Sequence, residues 1–419
     1  MKKYDKYKES RMWWLPQIPS HWDERKIKYC FNERSEKNHP DEVMLCATQA
    51  HGVIPQSMYQ NRVVVVNKGF EGLKFVKVGD FVISLRSFEG GIEYAYYQGI
   101  ISAAYTILTP TDKNSADYFK LLFKSRPFIE LLQTCVTGIR EGQNINYQLL
   151  GRKFIPIPPH EEQEAIVRFV ESKTSNIDSL ILDNERELQL LNELKESEIA
   201  NVITRGLDPN VKMKDSGIQW LGNIPEHWEI KRIASLFTGK VESNTNFKYH
   251  HAYKFNYGTL VPKEEVGDIE EYRETYVKYS IIKKGDILIN GLNLNYDFVS
   301  QRVAIAPENG IITSAYIVLR PRQETNSAYY NYLFKTMDSK KLFHGMGTGI
   351  RLTLSFDELK KQLIPIPSRE EQEAIVLQIE EKTNKINTLI SELEAEIEYL
   401  KEYKQKLIAD CVTGQIKVD

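Results

Sequence analysis

The sequence predicts an α+β protein built as a duplication, two mixed globular domains each followed by one long helix. Three observations predict it. A module of about 206 residues occurs twice. Each copy begins with short stretches rich in Val, Ile, Tyr and Phe. Each copy ends in apolar residues spaced by three and four over about six heptads.

The repeat is read from matched blocks. Trp14-Leu15 and Ile18-Pro19-Ser20-His21-Trp22 reappear as Trp220-Leu221 and Ile224-Pro225-Glu226-His227-Trp228, a shift of 206. The same shift carries Gly79-Asp80-Phe81-Val82-Ile83 onto Gly285-Asp286-Ile287-Leu288-Ile289. Thr137-Gly138-Ile139-Arg140 returns as Thr348-Gly349-Ile350-Arg351, shifted by 211. Ile155-Pro156-Ile157-Pro158 returns as Ile364-Pro365-Ile366-Pro367, shifted by 209. Small changes of offset are what surface loops of unequal length produce. Between these blocks the copies diverge.

In the first globule, strands are expected at Arg62 to Val66, Phe81 to Leu85 and Ala104 to Leu108. Gly79-Asp80 and Gly285-Asp286 read as turns entering a strand. One helix is expected around Ser115 to Leu132, and its counterpart around Ser327 to Leu342.

The long helices follow the Ile-Pro-Ile-Pro segments. Glu161, Glu162 and Glu164 load the first turn of one, which suits the positive end of the helix dipole. Ser368 and Glu371 form a capping-box pattern at the start of the other. The apolar stripes are Ile166, Val170, Ile177, Ile181, Leu188, Leu191 and Val202, then Ile375, Ile379, Ile386, Leu389, Leu393, Leu400 and Leu407. Gly206 with Pro209, and Gly414, stop the two helices. About 44 residues at 1.5 Å each make a rod of roughly 65 Å. A helix of that length cannot bury its stripe alone, so the two should pair with each other or with a partner. The expected division is residues 1–158 and 207–367 for the globules, 159–206 and 368–419 for the helices with the C-terminal tail.

The whole chain has 55 Lys+Arg against 57 Asp+Glu, a net charge of −2 that hides a division. Residues 160–205 carry a net −6 and residues 369–413 a net −5, leaving the remaining 328 residues at +9. Acidic rods repel a polyanion and basic globules attract one. The bland reading of the rods is that Glu simply favours helix.

Catalytic signatures are missing. Thr238-Gly239-Lys240-Val241 lacks the loop and the hydroxyl of a phosphate-binding motif. There is no NPPY-like or DPPY-like tetrapeptide, no complete glycine-rich cofactor loop, no PD-ExK centre and no G-x-S-x-G or H-E-x-x-H. Four cysteines lie far apart with no CxxC spacing, so neither a zinc framework nor a disulfide scaffold is expected. No apolar run approaches the roughly 20 residues that span a bilayer, and the N-terminus has no signal-peptide core. A cytoplasmic binding scaffold, not an enzyme, is the expectation. The duplicated His-Trp reads as a packing or turn feature rather than a ligand.

The ordered blocks Ile18 to Trp22, Ile155 to Ile166, Ile224 to Trp228, Ile364 to Ile375 and Cys411-Val412-Thr413-Gly414 resemble the specificity subunit of a Type I restriction–modification system. One departure is Val202-Ile203-Thr204-Arg205-Gly206, where Arg interrupts the helix-end motif. The resemblance implies that the globules are target recognition domains, each reading one half of an asymmetric bipartite site in double-stranded DNA. It implies that the helices pair as an antiparallel coiled coil that sets the spacer. Two modification subunits would dock there, bringing S-adenosylmethionine-dependent adenine N6 methylation. Two restriction subunits, the motor–endonucleases, would bring ATP and Mg. No cofactor is expected in this chain.

Base readout needs Arg, Lys, Asn, Gln or Ser on loops that reach a groove. The first candidates are Arg140 and Arg351 after the Thr-Gly turns, with Gln143 and Asn144 following in the first copy. Their alternative is an ion pair with a rod acid. The second are Ser84, Arg86 and Ser87, and Asn290, Asn293 and Asn295, after the Gly-Asp strands. The third is the stretch Asn244 to His251 with Lys248 and Tyr249, matched in the first copy by Gln49 to Asn61. Ordinary turns and solvated loops are the alternatives for both. A non-catalytic adaptor with basic domains is the competing function, and salt-dependent retention of DNA separates the two.

Overall fold

A computed structural model describes residues 2–59, 69–137, 144–239, 241–265, 267–322, 325–349 and 352–418. The stretch 62–66 expected as a strand lies outside them. The chain forms two compact units, Met1–Glu185 with Glu394–Asp419, and Arg186–Leu393. Each holds one globule, the start of one long helix and the end of the other.

The two units repeat one topology. In the first, an antiparallel sheet runs in the order Phe31–Arg34, Thr106–Pro110, Phe81–Ile83, Glu93–Tyr94. In the second, the order is Phe237–Thr238, Ile317–Pro321, Ile287–Ile289, Val303–Ile305. The duplicated Gly-Asp pairs do what their chemistry suggests. Gly79 and Gly285 take φ of 93° and 86°, a region that costs glycine nothing. The aspartates that follow are buried and paired with arginine. Arg34 Nε lies 2.9 Å from Asp80 Oδ2, and Arg320 Nη2 lies 2.7 Å from Asp286 Oδ2. The two arginines sit on non-equivalent strands, so the buried charge is neutralised twice by different routes.

The helix expected around Ser115 to Leu132 is two helices, Ala116–Leu122 and Arg126–Gln133. Pro127 explains the break: it lacks an N–H and its ring clashes with the carbonyl four residues back. Ser125 turns the chain there, its Oγ donating to Leu122 O at 2.7 Å. The second copy has no proline in that place and keeps one helix, Ser327–Ser339.

The long helices run His160–Arg205 and Arg369–Val412. Within each unit their segments pair antiparallel. In the first, Lys404 Nζ meets Asp178 Oδ1 at 2.6 Å. In the second, Lys195 meets Asn387 at 2.7 Å and Lys382 meets Glu198 at 2.6 Å, partners falling in number on one helix as they rise on the other. Most of the expected stripe is buried, including Ile166, Val170, Val202, Ile375, Ile379 and Leu407. Leu389 is not: it is exposed, and Thr383 and Ile397 take seam positions that the apolar reading passed over. Asn184 is buried on its helix, and its Nδ2 has no hydrogen-bond partner among the described residues.

Each unit holds both helix ends on its Ile-Pro-x-His-Trp segment. The helices stop at Gly206 and Gly414, with φ of 77° and 72°. The hydroxyl of Tyr118 donates to Val412 O at 2.8 Å, and that of Tyr329 to Ile203 O at 3.1 Å. At the outgoing starts, Gln163 Nε2 donates to Pro158 O at 2.8 Å and Gln372 Nε2 to Pro367 O at 2.9 Å. The capping box at Ser368 forms on one side. Ser368 Oγ accepts from Glu371 N at 3.2 Å, but the Glu371 carboxylate turns to the globule and accepts from Trp228 Nε1 at 2.9 Å.

Candidate nucleic-acid interface

In both units the loop leaving the Gly-Asp strand lies beside the turn that follows the Thr-Gly motif. In the second unit, Leu294 N donates to Leu352 O at 3.2 Å and Leu354 N to Gly291 O at 2.9 Å. In the first, the turn Ser87–Gly90 packs on the strand Asn144–Ile145. Of the first set only Asn144 is described, and in the first unit it lies beside the loop that holds Ser84, Arg86 and Ser87. Arg140, Gln143 and Arg351 lie outside the described residues.

The described candidates divide into outward and inward groups. Arg86, Asn144 and Asn293 are exposed. Ser87 is 1% exposed, and its Oγ accepts from Ser84 N at 2.8 Å, so it closes the loop from inside. Ser84 Oγ lies 3.3 Å from the same hydroxyl. Asn290 is half-buried and its Oδ1 accepts from Leu292 N at 3.2 Å, an Asx turn within the loop. Asn295 is half-buried, with Oδ1 buried and without a hydrogen-bond partner among the described residues.

The third candidate stretch belongs to a different cluster. Phe247 packs with Ala252, Tyr276 and Ile311, and Tyr249 packs against them. Leu294 and Leu354 sit in the main core of the unit instead. Asn244 is buried and staples its own turn, donating to Tyr249 O at 2.8 Å and accepting from Tyr249 N at 3.0 Å. Lys248 is exposed, its ammonium 5.5 Å from the Tyr249 ring centroid.

Sequence reasoning missed the residue that builds the second-unit loop. Arg302 is 2% exposed. Its guanidinium donates to the carbonyls of Leu292 and Asp297, both at 2.8 Å, and of Asn290 at 3.1 Å. Its backbone N–H donates to Asp338 Oδ2 at 2.6 Å. Burial pushes the Asp338 carboxyl above its ordinary pKa, against the nearby positive groups. Nothing local marks Arg302, since a lone arginine before Val-Ala-Ile reads equally well as a solvated one.

Among the described residues no group of three or more His, Cys, Asp or Glu is placed to hold a metal ion. No helix among them is long and apolar enough to cross a membrane.

Two mixed globules, each holding the end of one long helix beside the start of the other, define a duplicated scaffold. Residues 225–399 match the Type I restriction modification DNA specificity domain. The Type I restriction enzyme MjaVIII specificity subunit of Methanocaldococcus jannaschii is 26% identical over 345 residues, covering 77% of this chain and 75% of that protein. A second chain of that organism, provisionally assigned as the MjaX specificity subunit, is 23% identical over 431 residues and 96% of each chain. The fold is shared with the HsdS subunit from Thermoanaerobacter tengcongensis, TM-score 0.51 at 16% identity over 95% of this chain and 98% of that one. It is shared more closely with a chain from a structure of the Type I R-M system, TM-score 0.67 at 15% identity over 95% and 99%. Over most of its length the chain is thus similar to specificity subunits of Type I restriction–modification systems, and residues 225–399 match that family's DNA specificity domain.

Proposed function

We propose that each unit reads one half of a bipartite, asymmetric site in double-stranded DNA, and that the paired long helices set the spacer and dock two modification subunits. Restriction subunits join that assembly. Methylation from S-adenosylmethionine and ATP- and Mg-dependent cleavage belong to those partners, and this chain supplies specificity.

The observation that carries the reading is one scaffold bearing two unlike loops at the same corner. Between the corresponding strands, residues 84–92 present Arg86, while the longer 290–302 presents Asn293. Two readers of different sequences need a common frame and different contact residues. Acidic helices beside basic globules support DNA meeting the globules.

The test is methylation-sensitive sequencing of a host carrying the wild-type chain or Arg140→Ala. The expected result is relaxed preference in one half-site with the other unchanged. Equal relaxation of both half-sites would overturn the assignment of one reader to each half.

A further inference from the structure

The second unit carries a small apolar tip that its reading loop does not need for folding. Tyr296 is 78% exposed, Phe298 56% and Val299 88%. Loops normally keep such residues inside. The Tyr257-Gly258 hairpin turn lies against the same loop: a Cβ on Gly258 would fall 2.5 Å from Gln301 Cγ. Tyr257 is 76% exposed, and its φ of 42° is the one that the first position of this two-residue hairpin turn requires.

The tip is mounted rigidly. The Arg302 guanidinium gathers the carbonyls of Asn290, Leu292 and Asp297 beneath it. The Asp297 carboxylate accepts from the Val299 and Ser300 amides at 3.1 and 2.9 Å. The Phe298 ring stacks on His344 at 4.6 Å. A held, protruding group of three or four apolar side chains is too small for a protein interface, which takes roughly 20–30 residues a side. It has the size and stiffness of the apolar wedges that part a base step and kink a duplex. The corresponding loop of the first unit exposes one large apolar residue, Leu85, while its Phe88 packs on the core.

We propose that Tyr296, Phe298 and Val299, with Tyr257 beside them, enter a base step of the half-site read by the second unit and kink the DNA there. This rests on the proposed function. The kink makes recognition asymmetric, since one half-site is read partly through its deformability and the other through direct contacts.

The test uses the chain assembled with its modification subunits, and a site taken from the host methylome. 2-Aminopurine is placed in turn at each step of both half-sites, away from the methylated adenines. The expected result is a fluorescence rise at one step of the second half-site only. Tyr296→Ser with Val299→Ser should abolish it and leave binding at the first half-site intact; both residues are exposed, so folding is spared. A rise at no step, or a rise unchanged in the double variant, would overturn the wedge while site-specific binding still upholds the broader reading. Loss of subunit assembly with normal unstacking would also overturn it, and identify the tip as a protein contact. A wild-type assembly without any sequence preference would sink the proposed function and this inference together.

Discussion

Glu371 Oε2 lies 2.9 Å from His227 Nε2, and Glu162 Oε2 lies 2.8 Å from His21 Nε2 in the other copy. A residue of the Ile-Pro-x-His-Trp segment thus grips the first turn of the outgoing helix in both units. The tryptophans beside these histidines are fully buried but differ in one respect. Trp228 Nε1 donates to Glu371, whereas Trp22 Nε1 has no partner among the described residues. In the first unit the Tyr4 hydroxyl donates to Glu162 instead. Trp228→Phe should therefore cost about 1.5–3 kcal/mol more than Trp22→Phe, the value of a hydrogen bond to a charged group. Hydrogen exchange read separately in the two units checks the difference; equal losses would contradict it.

Glu93 gives the first unit a pH dependence. Burial pushes its carboxyl up to about 7, against the opposing pull of Lys124, whose Nζ lies 2.6 Å away. The folded pKa is above the ordinary value, so the protonated form is favoured by folding. The stability this provides is complete below about pH 4.5 and is lost as pH rises through about 7. Thermal melts should show Glu93→Gln flattening the decline between pH 5 and pH 8. A slope unchanged by the substitution would remove Glu93 as its source.

The helix stops should be intolerant of a side chain. A Cβ on Gly414 would meet Pro19 Cδ at 2.5 Å and Trp22 at 3.0 Å, on a backbone of φ 72°. Gly217 has a similar φ of 69° but open space around it. Gly217→Ala should cost about 1 kcal/mol, for conformation alone. Gly414→Ala should cost clearly more, and urea denaturation of the two variants measures the gap.

Spacer length should follow the long helices. One heptad added to each lengthens a helix by about 10 Å. At 3.4 Å per base pair that is about three base pairs of spacer. Methylome sequencing should return the same two half-sites farther apart. An unchanged spacer would remove the helices as a ruler.

The scaffold was legible because its signals are local. Gly79-Asp80 and Gly285-Asp286 announce their turns, and Gly206 and Gly414 their helix ends. Pro127 was legible too, and its break should have been read from Ser125-Arg126-Pro127. The periodic stripe missed Thr383 because polarity hid a position that spacing alone would include. The site was less legible because its determinants are distant or look ordinary. Ser87 and Asn290 have reader chemistry but spend it inside their own loops. Arg302 announces nothing until the carbonyls above it are placed.

The glutamine at each helix start has a wider meaning. Gln163 and Gln372 each reach back to the carbonyl of the proline that follows the preceding strand. Strand, turn and helix are thereby welded into an elbow whose angle depends on none of the variable loops. Those loops can be rewritten by mutation or recombination while each helix keeps its line of departure. On the proposed function, a new specificity then needs no new frame.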